Sequence, residues 1–348
     1  MNILITGAAG GIGSTLIREL KSTDHCLFFV DNLRNGYEQN MLDDDGRLLG
    51  EWSRTSITEN MNDLWAGVNF DAVIHLAAIT SLPDCEENFT EAFDVNVTGT
   101  ANVLRFCKTR GIKNIIFAST SAVYENTKDG LLEEDAQINP TLFYSSTKMM
   151  GEHMCDSFRK NYDMNIATLR FFNVFGPRQD YLRDNPPLLN YLVREFCNDR
   201  VPMLHSDGNQ SRDYVHVDDV VNLIKMCLDK QVDGTYNVCS GVKVSVRQMA
   251  EYVKTALHKN IEVAYRDSSK LWDTKPDLFS GSFPLKKSVV TKETNKTSLG
   301  SFDKAWKELG WKPQTDLETL IKKVSVEMKN LYFEKGTCNE NFDNPDGG

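Results

Sequence analysis

The first thirty or so residues contain the pattern that most restricts the fold. An apolar run at residues 3–5 is typical of a buried strand, and an amphipathic segment of helical period follows at residues 12–20. Between them stand three glycines at three-residue spacing, Gly7, Gly10 and Gly13. Glycine permits a tight strand-to-helix turn and a close approach of the backbone to a pyrophosphate, which the free amides of a helix N-terminus bind. The order of these elements favours a dinucleotide site over an ordinary flexible turn.

The second apolar run, at residues 27–30, ends at Asp31. Its distance from Gly13 is close to that at which an acidic residue meets an adenosine ribose. A carboxylate there accepts hydrogen bonds from both ribose hydroxyls and repels a 2′-phosphate. We therefore predict that the cofactor is NAD rather than NADP.

Charge and composition exclude several classes of function. The 348-residue chain has a formal net charge of -10 and no basic stripe, so we expect no nucleic-acid partner. No apolar run approaches membrane-spanning length, and the chain starts with a strand pattern rather than a leader pattern, which predicts a cytoplasmic protein that does not contact a membrane. Eight cysteines without a CxxC pair and six histidines without a metal-ligand spacing predict reduced thiols and no metal site.

Strand-like and helix-like segments alternate through the first half of the chain. The strand-like runs are residues 3–6, 27–30, 72–76, 115–118 and 166–171, and the helix-like segments are 11–20, 91–110 and 145–162. This alternation predicts an α/β fold with a Rossmann-type, doubly wound parallel sheet.

The second half of the chain is less regular, and it predicts a smaller, discontinuous α/β substrate-binding lobe. We place the NAD-binding domain at residues 1–172, with a return of the chain to it around residues 214–240. The lobe would comprise residues 173–213 and 241–330, with 271–296 irregular, and residues 331–348 would form a disordered tail.

Tyr144 and Lys148 are four residues apart at a predicted helix start, which puts both side chains on one face. A phenol is a weak base at neutral pH, but a neighbouring ammonium and the positive nicotinamide favour the phenolate. A phenolate beside a sugar hydroxyl can take its proton as hydride leaves the same carbon. An exposed helix face with an unrelated Tyr and Lys is the alternative.

A hydroxyl cluster, Ser119, Thr120 and Ser121, follows the fourth predicted strand. Ligands of doubly wound sheets bind at the carboxyl ends of the strands, so one of these hydroxyls can share a hydrogen bond with the reacting oxygen. Such clusters also occur in simple turns.

Together these motifs resemble the NAD-dependent epimerase/dehydratase family, the extended short-chain dehydrogenase/reductases that act on nucleotide sugars. The similarity covers roughly residues 1–320 and rests on the glycine triplet, Asp31-Asn32-Leu33, His75-Leu76-Ala77-Ala78, Asn96-Val97-Thr98-Gly99-Thr100, Ser119 to Tyr124, Tyr144-x-x-x-Lys148, Arg170 to Arg178 and Arg212-Asp213-Tyr214.

The resemblance implies roles for individual residues. Tyr144 would be the acid/base, Lys148 would hold the nicotinamide ribose and Thr120 would be the hydroxyl partner. The cofactor would be NAD, contacted by Gly7, Gly10, Gly11, Ile12, Gly13, Asp31, Asn32, Asn35, Ile57, Leu76, Ala77, Ala78, Thr80, Asn96, Ser119, Tyr144, Lys148 and Phe171. The substrate would contact Thr80, Ser121, Asn173, Arg178 and Arg212.

Ala122 separates the branches of the family. Dehydratases and decarboxylases of the family place a glutamate there, whereas an alanine is compatible with epimerases that only oxidise C4, rotate the keto sugar and reduce it again. The chain is therefore similar to the UDP-glucose 4-epimerase branch, which implies a homodimer formed through residues 91–110 and 145–162 and an NAD-dependent C4 epimerisation of a UDP-hexose or UDP-hexosamine through a 4-keto intermediate.

Two alternative functions and one departure from the family's sequence pattern remain. A dehydratase, decarboxylase or reductase of the same family would need an acid from elsewhere in the pocket, and an NAD-sensing binding protein would not need Tyr144 and Lys148. The basic Arg-x-Gly-Asp element that the family places before the C-terminal helix is absent, and Lys286 or Lys287 is a candidate replacement. Asn173 could instead cap a turn, and Arg212 could pair with Asp213.

Overall fold

The glycine-rich N-terminal segment folds as a strand, a helix and a parallel strand: β1 (Asn2–Thr6), α1 (Gly11–Lys21) and β2 (Cys26–Val30). The structure is a computed structural model that describes residues 1–127 and 130–334. The predicted apolar run is the inside of this unit, because Ile3, Leu4 and Ile5 are fully buried.

The central sheet has seven strands in the order β10-β6-β5-β4-β1-β2-β3, and every neighbouring pair is parallel. The remaining strands are β3 (Glu51–Ser53), β4 (Ala72–His75), β5 (Asn114–Thr120), β6 (Asn165–Phe171) and β10 (Gly234–Val238). This order confirms the predicted Rossmann-type doubly wound sheet. Ser119 and Thr120 are the last residues of β5 rather than the start of the following loop.

Helices cover both faces of the sheet. They are α1, α4 (Thr100–Arg110), α5 (Phe143–Tyr162) and α7 (Val217–Lys230), while α2 (Leu82–Glu87) and α3 (Phe89–Phe93) pack on α5. The segment predicted as one helix at residues 91–110 is divided by a π-helical turn, Asp94–Gly99. One apolar core lies between the sheet and α1 and α7, and a second lies between the sheet and α4 and α5.

Most of the remaining elements form a separate apolar core. A three-stranded sheet contains β7 (Asn173–Phe175), β9 (Ser211–His216) and β11 (Lys243–Ser245), and a two-stranded sheet contains β8 (Met203–His205) and β12 (Ala264–Arg266). The helices of this core are α6 (Leu188–Cys197), α8 (Val246–Ala256) and α11 (Leu317–Lys329). Leu192 on α6, Val253 on α8 and Ile321 on α11 are fully buried in this core. Outside it, α9 (Lys287–Asn295) packs in a small cluster of its own, and α10 (Asp303–Leu309) packs on the core that contains α1 and α7.

Two local predictions are wrong. Residues 271–296 are not irregular throughout, because α9 occupies 287–295 and buries Val290 against Leu142 and Trp272. The predicted disordered tail does not start at residue 331, because residues 330–334 form a π-helical turn in which Tyr332 and Phe333 pack on the core of α6, α8 and α11. The rest of that predicted tail, 335–348, lies outside the described residues.

Candidate functional site

A cavity opens at the carboxyl ends of the central strands, where the strand order reverses between β1 and β4. Its walls come from the glycine loop after β1, the ends of β2, β4, β5 and β6, the start of α5, and residues 174–187 after the central sheet. Crevices of this kind are the ligand sites of doubly wound α/β sheets.

Two glycines of the loop after β1 have no room for a side chain. Gly7 has a φ of +77°, and a Cβ there would lie 2.7 Å from the amide nitrogen of Ala77. A Cβ on Gly13 would lie 2.2 Å from the Gly7 carbonyl oxygen, which no real packing allows. The backbone of the loop and the first turn of α1 therefore line the cavity directly. Free amides at a helix N-terminus are what a pyrophosphate requires, so the loop fits a dinucleotide.

Asp31 stands at the end of β2 with its carboxylate fixed by the backbone. Its Oδ2 accepts a hydrogen bond from the Ala9 amide at 2.9 Å, and its Oδ1 accepts one from the Leu33 amide at 2.8 Å. Burial raises the pKa of Asp31, and these two hydrogen bonds oppose the rise. Each oxygen retains acceptor capacity, so the carboxylate can also receive ribose hydroxyls.

The structure brings most of the predicted cofactor residues to this cavity. Its lining includes Gly7, Gly10, Gly11, Ile12, Gly13, Asp31, Asn32, Asn35, Ile57, Leu76, Ala77, Ala78, Thr80, Ser119, Tyr144, Lys148 and Phe171.

Asn96 is the exception, because it lies behind the wall. It sits in the π-helical turn, and its amide group bonds both the N–H and the carbonyl of Ile79, at 2.8 and 3.0 Å, and the Thr147 hydroxyl at 3.1 Å. Asn96 thus fixes the segment that carries Thr80 and holds it against α5. It is a positioning residue for the cavity rather than a lining residue.

Tyr144 lies near the N-terminus of α5, one turn before Lys148, as the spacing predicts. Burial raises the pKa of the Tyr144 phenol, and its contact with the Thr120 hydroxyl and the positive charge of Arg183 oppose the rise. Lys148 donates a hydrogen bond to the Ala118 carbonyl at 2.9 Å, and burial lowers its pKa to about 8. A phenol, a hydroxyl and an ammonium thus meet at the end of β5.

A buried ionic network supports this arrangement from behind. The Ser119 hydroxyl donates to Glu152 Oε1 at 2.5 Å, and Arg170 donates to the two carboxylate oxygens of Glu152 at 3.0 and 2.8 Å. Arg170 also donates to the Tyr124 hydroxyl at 2.7 Å, which in turn bonds Asn237. Ser119 therefore contacts both the cavity and a charged network that joins β5, α5, β6 and β10.

Only one of the five predicted substrate residues lines the cavity. Thr80 lines the cavity, whereas Ser121, Asn173, Arg178 and Arg212 lie outside its lining. The Asn173 amide donates to the Asp213 carbonyl at 3.0 Å.

Arg212 pairs with Glu293, not with Asp213. One Arg212 nitrogen lies 3.7 Å from Glu293 Oε1 and donates to the Glu293 carbonyl at 2.7 Å. The Asp213 carboxylate instead accepts the amides of Ser240, Gly241 and Gly300 at 2.8 to 3.1 Å.

The candidate replacements for the missing basic element lie apart from Arg212. Lys287 donates to Asp273 at 3.1 Å and covers the Phe279 ring, and Lys286 precedes α9. Lys296 is the lysine beside Arg212: its Nζ lies 4.0 Å from Glu293 Oε2, and burial and the charge of Arg212 lower its pKa, while Glu293 raises it.

Sequence reasoning missed several residues that line the cavity, among them Arg34, Gly36, Gln179, Asp180 and Arg183. Arg34 and Gly36 follow Asp31 closely, so their position after β2 could have indicated them. Residues 179–183 carry no motif of this kind, and only the tertiary path of the chain after β7 brings them over the glycine loop, where a Cβ on Gly11 would lie 3.0 Å from Gln179 Cγ.

The described residues contain neither a candidate metal site nor a helix that could span a membrane. Residues 1–127 and 130–334 contain no group of three His, Cys, Asp or Glu side chains arranged for a metal ion. No helix in those same ranges is long and apolar enough to cross a membrane.

The sheet, the glycine loop, Asp31 and the Tyr144 and Lys148 pair define a dinucleotide-binding enzyme of the Rossmann class. Residues 3–239 match the model of the NAD dependent epimerase/dehydratase family. The chain belongs to this family, and its cofactor is NAD.

Comparisons with individual proteins agree with this assignment. A relative from Methanocaldococcus jannaschii is 30% identical over 335 residues, which are 94% of this chain and 98% of the relative. The UDP-glucose 4-epimerase of Thermotoga maritima, solved with UDP-glucose, superimposes with a TM-score of 0.82 at 26% identity over 95% of this chain and 99% of its own. The UDP-glucuronic acid 4-epimerase of Bacillus cereus, solved with UDP-glucuronic acid and NAD, gives 0.81 at 25% identity over 95% and 100%. Decarboxylases of UDP sugar acids are also among the relatives.

Proposed function

We propose that the protein is an NAD-dependent nucleotide-sugar epimerase that inverts C4 of a UDP-hexose or UDP-hexosamine. The observation that supports this most directly is that Tyr144 and Lys148 line the same cavity as the glycine loop, with the Thr120 hydroxyl in contact with the Tyr144 phenol. A non-catalytic NAD sensor would not need a buried phenol next to a hydroxyl and an ammonium.

NAD supplies a hydride acceptor that can return the same hydride. The chain supplies the proton chemistry: Tyr144 takes the proton of the C4 hydroxyl and later gives it back, and its phenol contacts the Thr120 hydroxyl at the end of β5. Lys148 contributes a positive charge to the cavity lining and donates a hydrogen bond to the Ala118 carbonyl. Nearby positive charge favours the phenolate that the first half of the reaction needs.

Ala122 supports an epimerase over the other reactions of the family. It packs with Tyr144 and Ile79 in one small cluster, so the place next to the acid/base is occupied by a methyl group. A methyl group cannot remove a carbon-bound proton or protonate a leaving group. A dehydratase or decarboxylase would require another acid, which makes those activities the second candidate, supported by the decarboxylases among the relatives.

Turnover in heavy water tests the proposal. The NAD-loaded protein is incubated with UDP-glucose, UDP-N-acetylglucosamine and UDP-glucuronic acid in D₂O, and the products are resolved by NMR and mass spectrometry. We expect a C4 epimer of unchanged mass with no carbon-bound deuterium, because the hydride leaves and returns without exchange. Loss of water or carbon dioxide, or deuterium at C3 or C5, would contradict a simple C4 epimerase.

The proposed assembly is a homodimer formed through residues 91–110 and 145–162. Phe93, Met150 and Tyr162 lie within these segments and are 40, 40 and 43% exposed, so each segment carries large apolar side chains that a second copy of the chain would cover. Light scattering after size-exclusion chromatography checks it, and a monomer at micromolar concentration would contradict it. A cytoplasmic location goes with this proposal.

A further inference from the structure

Arg183 is a cation at the edge of the active site that the proposed mechanism does not use. It lies in the loop between β7 and α6, it lines the cavity, and its charge acts on the Tyr144 phenol. The side chain is partly buried, and burial lowers the pKa of its guanidinium. A guanidinium in such a place is costly unless an anion or several acceptors face it.

The protein itself provides little for Arg183. Its Nε donates to the Asn185 carbonyl at 2.9 Å, and within the described ranges no carboxylate lies at ion-pair distance from it. Arg34, which also lines the cavity, differs in this respect, because it makes a two-pronged contact with Glu91 at 2.6 and 2.7 Å. The forked N–H groups of Arg183 are thus still available to a ligand.

The acidic neighbours of Arg183 are occupied by other partners. Asp180 Oδ1 accepts the Tyr37 hydroxyl at 2.6 Å and the amides of Leu182 and Arg183 at 3.1 and 3.2 Å. The charge of Asp84 also reaches Arg183, but the Asp84 carboxylate pairs with Lys275.

Lys275 holds the remaining acids. Its Nζ lies 2.8 Å from Glu87, 3.4 Å from Asp84 and 3.6 Å from Asp184, and its side chain is only 16% exposed. The lysine reaches this place because residues 271–290 pack on Leu142 through a small apolar cluster that includes the nearly buried Trp272. One lysine thus holds two aspartates, and one of them, Asp84, is an acid whose charge reaches Arg183.

We propose that Arg183 binds an oxyanion of the nucleotide sugar, either its diphosphate or a carboxylate at C6 of the sugar, and that Lys275 keeps Arg183 available by holding Asp84 and Asp184. This inference rests on the proposed function, because it assumes that a nucleotide sugar enters the cavity beside Tyr144. A planar guanidinium matches phosphate and carboxylate geometry with two parallel hydrogen bonds. Arg183 is therefore a binding residue, and Lys275 is a positioning residue.

Calorimetric binding to the NAD-loaded protein tests the inference without turnover. The probes are UDP, UDP-glucose and UDP-glucuronic acid, and the variants are Arg183→Met, Arg183→Lys and, as a matched control, Arg247→Met. Arg247 is exposed and contacts the Asp207 carbonyl and the Tyr265 ring, away from the cavity. We expect Arg183→Met to weaken binding by about tenfold to hundredfold, the usual value of a charged hydrogen-bond pair, Arg183→Lys to weaken it less, and the control to be unchanged.

The pattern of losses identifies the oxyanion. Equal weakening of all three probes shows contact with the diphosphate, and weakening of UDP-glucuronic acid alone shows contact with the carboxylate. Unchanged binding of every probe, weakening of NAD alone, or no binding of any probe to the wild type overturns the inference. If the probes bind and Arg183→Met weakens them but no epimer forms, the proposed function fails while the inference stands.

A double-variant experiment tests the part assigned to Lys275. Lys275→Met should weaken the same probe as Arg183→Met, because Asp84 becomes free to pair with Arg183. Adding Asp84→Asn should restore part of the affinity. If Lys275→Met weakens binding and Asp84→Asn restores none of it, Lys275 acts only by supporting the fold, and the proposed shielding of Arg183 is wrong.

Discussion

Replacement of Asp31 by alanine should change both the stability and the cofactor preference of the protein. In the protein without cofactor, the carboxylate accepts the Ala9 and Leu33 amides at 2.9 and 2.8 Å. An unsatisfied buried amide costs about 1–3 kcal/mol, and because this site is open to the cavity we take the lower end for each. The free energy of unfolding should therefore fall by about 2 kcal/mol.

The effect on NAD adds to this change. The ribose hydroxyls lose a charged acceptor, which is worth about 1–3 kcal/mol, or about a fivefold to 150-fold loss of NAD affinity. NADP should not lose affinity, because the carboxylate that repels its 2′-phosphate is gone. The ratio of the two affinities should thus shift toward NADP in the variant.

Calorimetry with NAD and with NADP measures the preference, and urea unfolding of the cofactor-free protein measures the stability separately. Asp24→Ala is the matched control, since Asp24 is exposed just after α1. Tighter binding of NADP than of NAD by the wild type would refute the ribose assignment. An unchanged affinity ratio in Asp31→Ala would refute it equally, even if the variant were less stable.

Three further predictions concern the acid/base, the loop and a buried histidine. Tyr144→Phe should bind NAD normally and lose about a hundredfold to ten-thousandfold in kcat, because a positioned acid/base is removed; near-normal turnover would exclude Tyr144 from the role. Gly13→Ala should abolish NAD binding in calorimetry, because its Cβ would lie 2.2 Å from the Gly7 carbonyl, whereas Gly10→Ala, at 3.4 Å from the same atom, should be milder; equal effects would contradict the steric argument. Burial lowers the pKa of His75 from 6.5 to about 3. Between these two values the imidazole is protonated in the unfolded chain and neutral in the folded protein. The free energy of unfolding should therefore fall as the pH drops through this range, by up to about 1.4 kcal/mol per pH unit. Urea unfolding of His75→Asn should show a shallower loss with falling pH, and an equal slope would contradict the assignment.

Local pattern and chain order could predict the central sheet and the nucleotide loop. Buried parallel strands such as 3–5 are continuous apolar runs, and the Gly13 and Asp31 positions follow from the backbone requirements of a βαβ unit. Tyr144 and Lys148 could be paired because helical spacing alone puts them on one face.

The parts that could not be predicted depend on contacts between distant segments. Helix α9 has few apolar positions of its own and gains its burial from Leu142 and Trp272, which lie far away in sequence. Arg183 reaches the cavity only because the loop after β7 crosses the glycine loop. Arg212 was expected to contact the substrate or to pair with Asp213, but it pairs with Glu293. That pairing likewise depends on the position of α9, which carries Glu293.

The buried pair of Glu152 and Arg170 has a consequence for how this sequence can change over time. Both side chains are only 7% exposed, and they hold Ser119 and Tyr124 in one network. Losing either charge alone would leave the other uncompensated, at a cost of about 3–5 kcal/mol, a large share of the stability of a typical protein. A single substitution that removes one of these charges is therefore not neutral. A lineage that replaced the pair would have to change both residues nearly together.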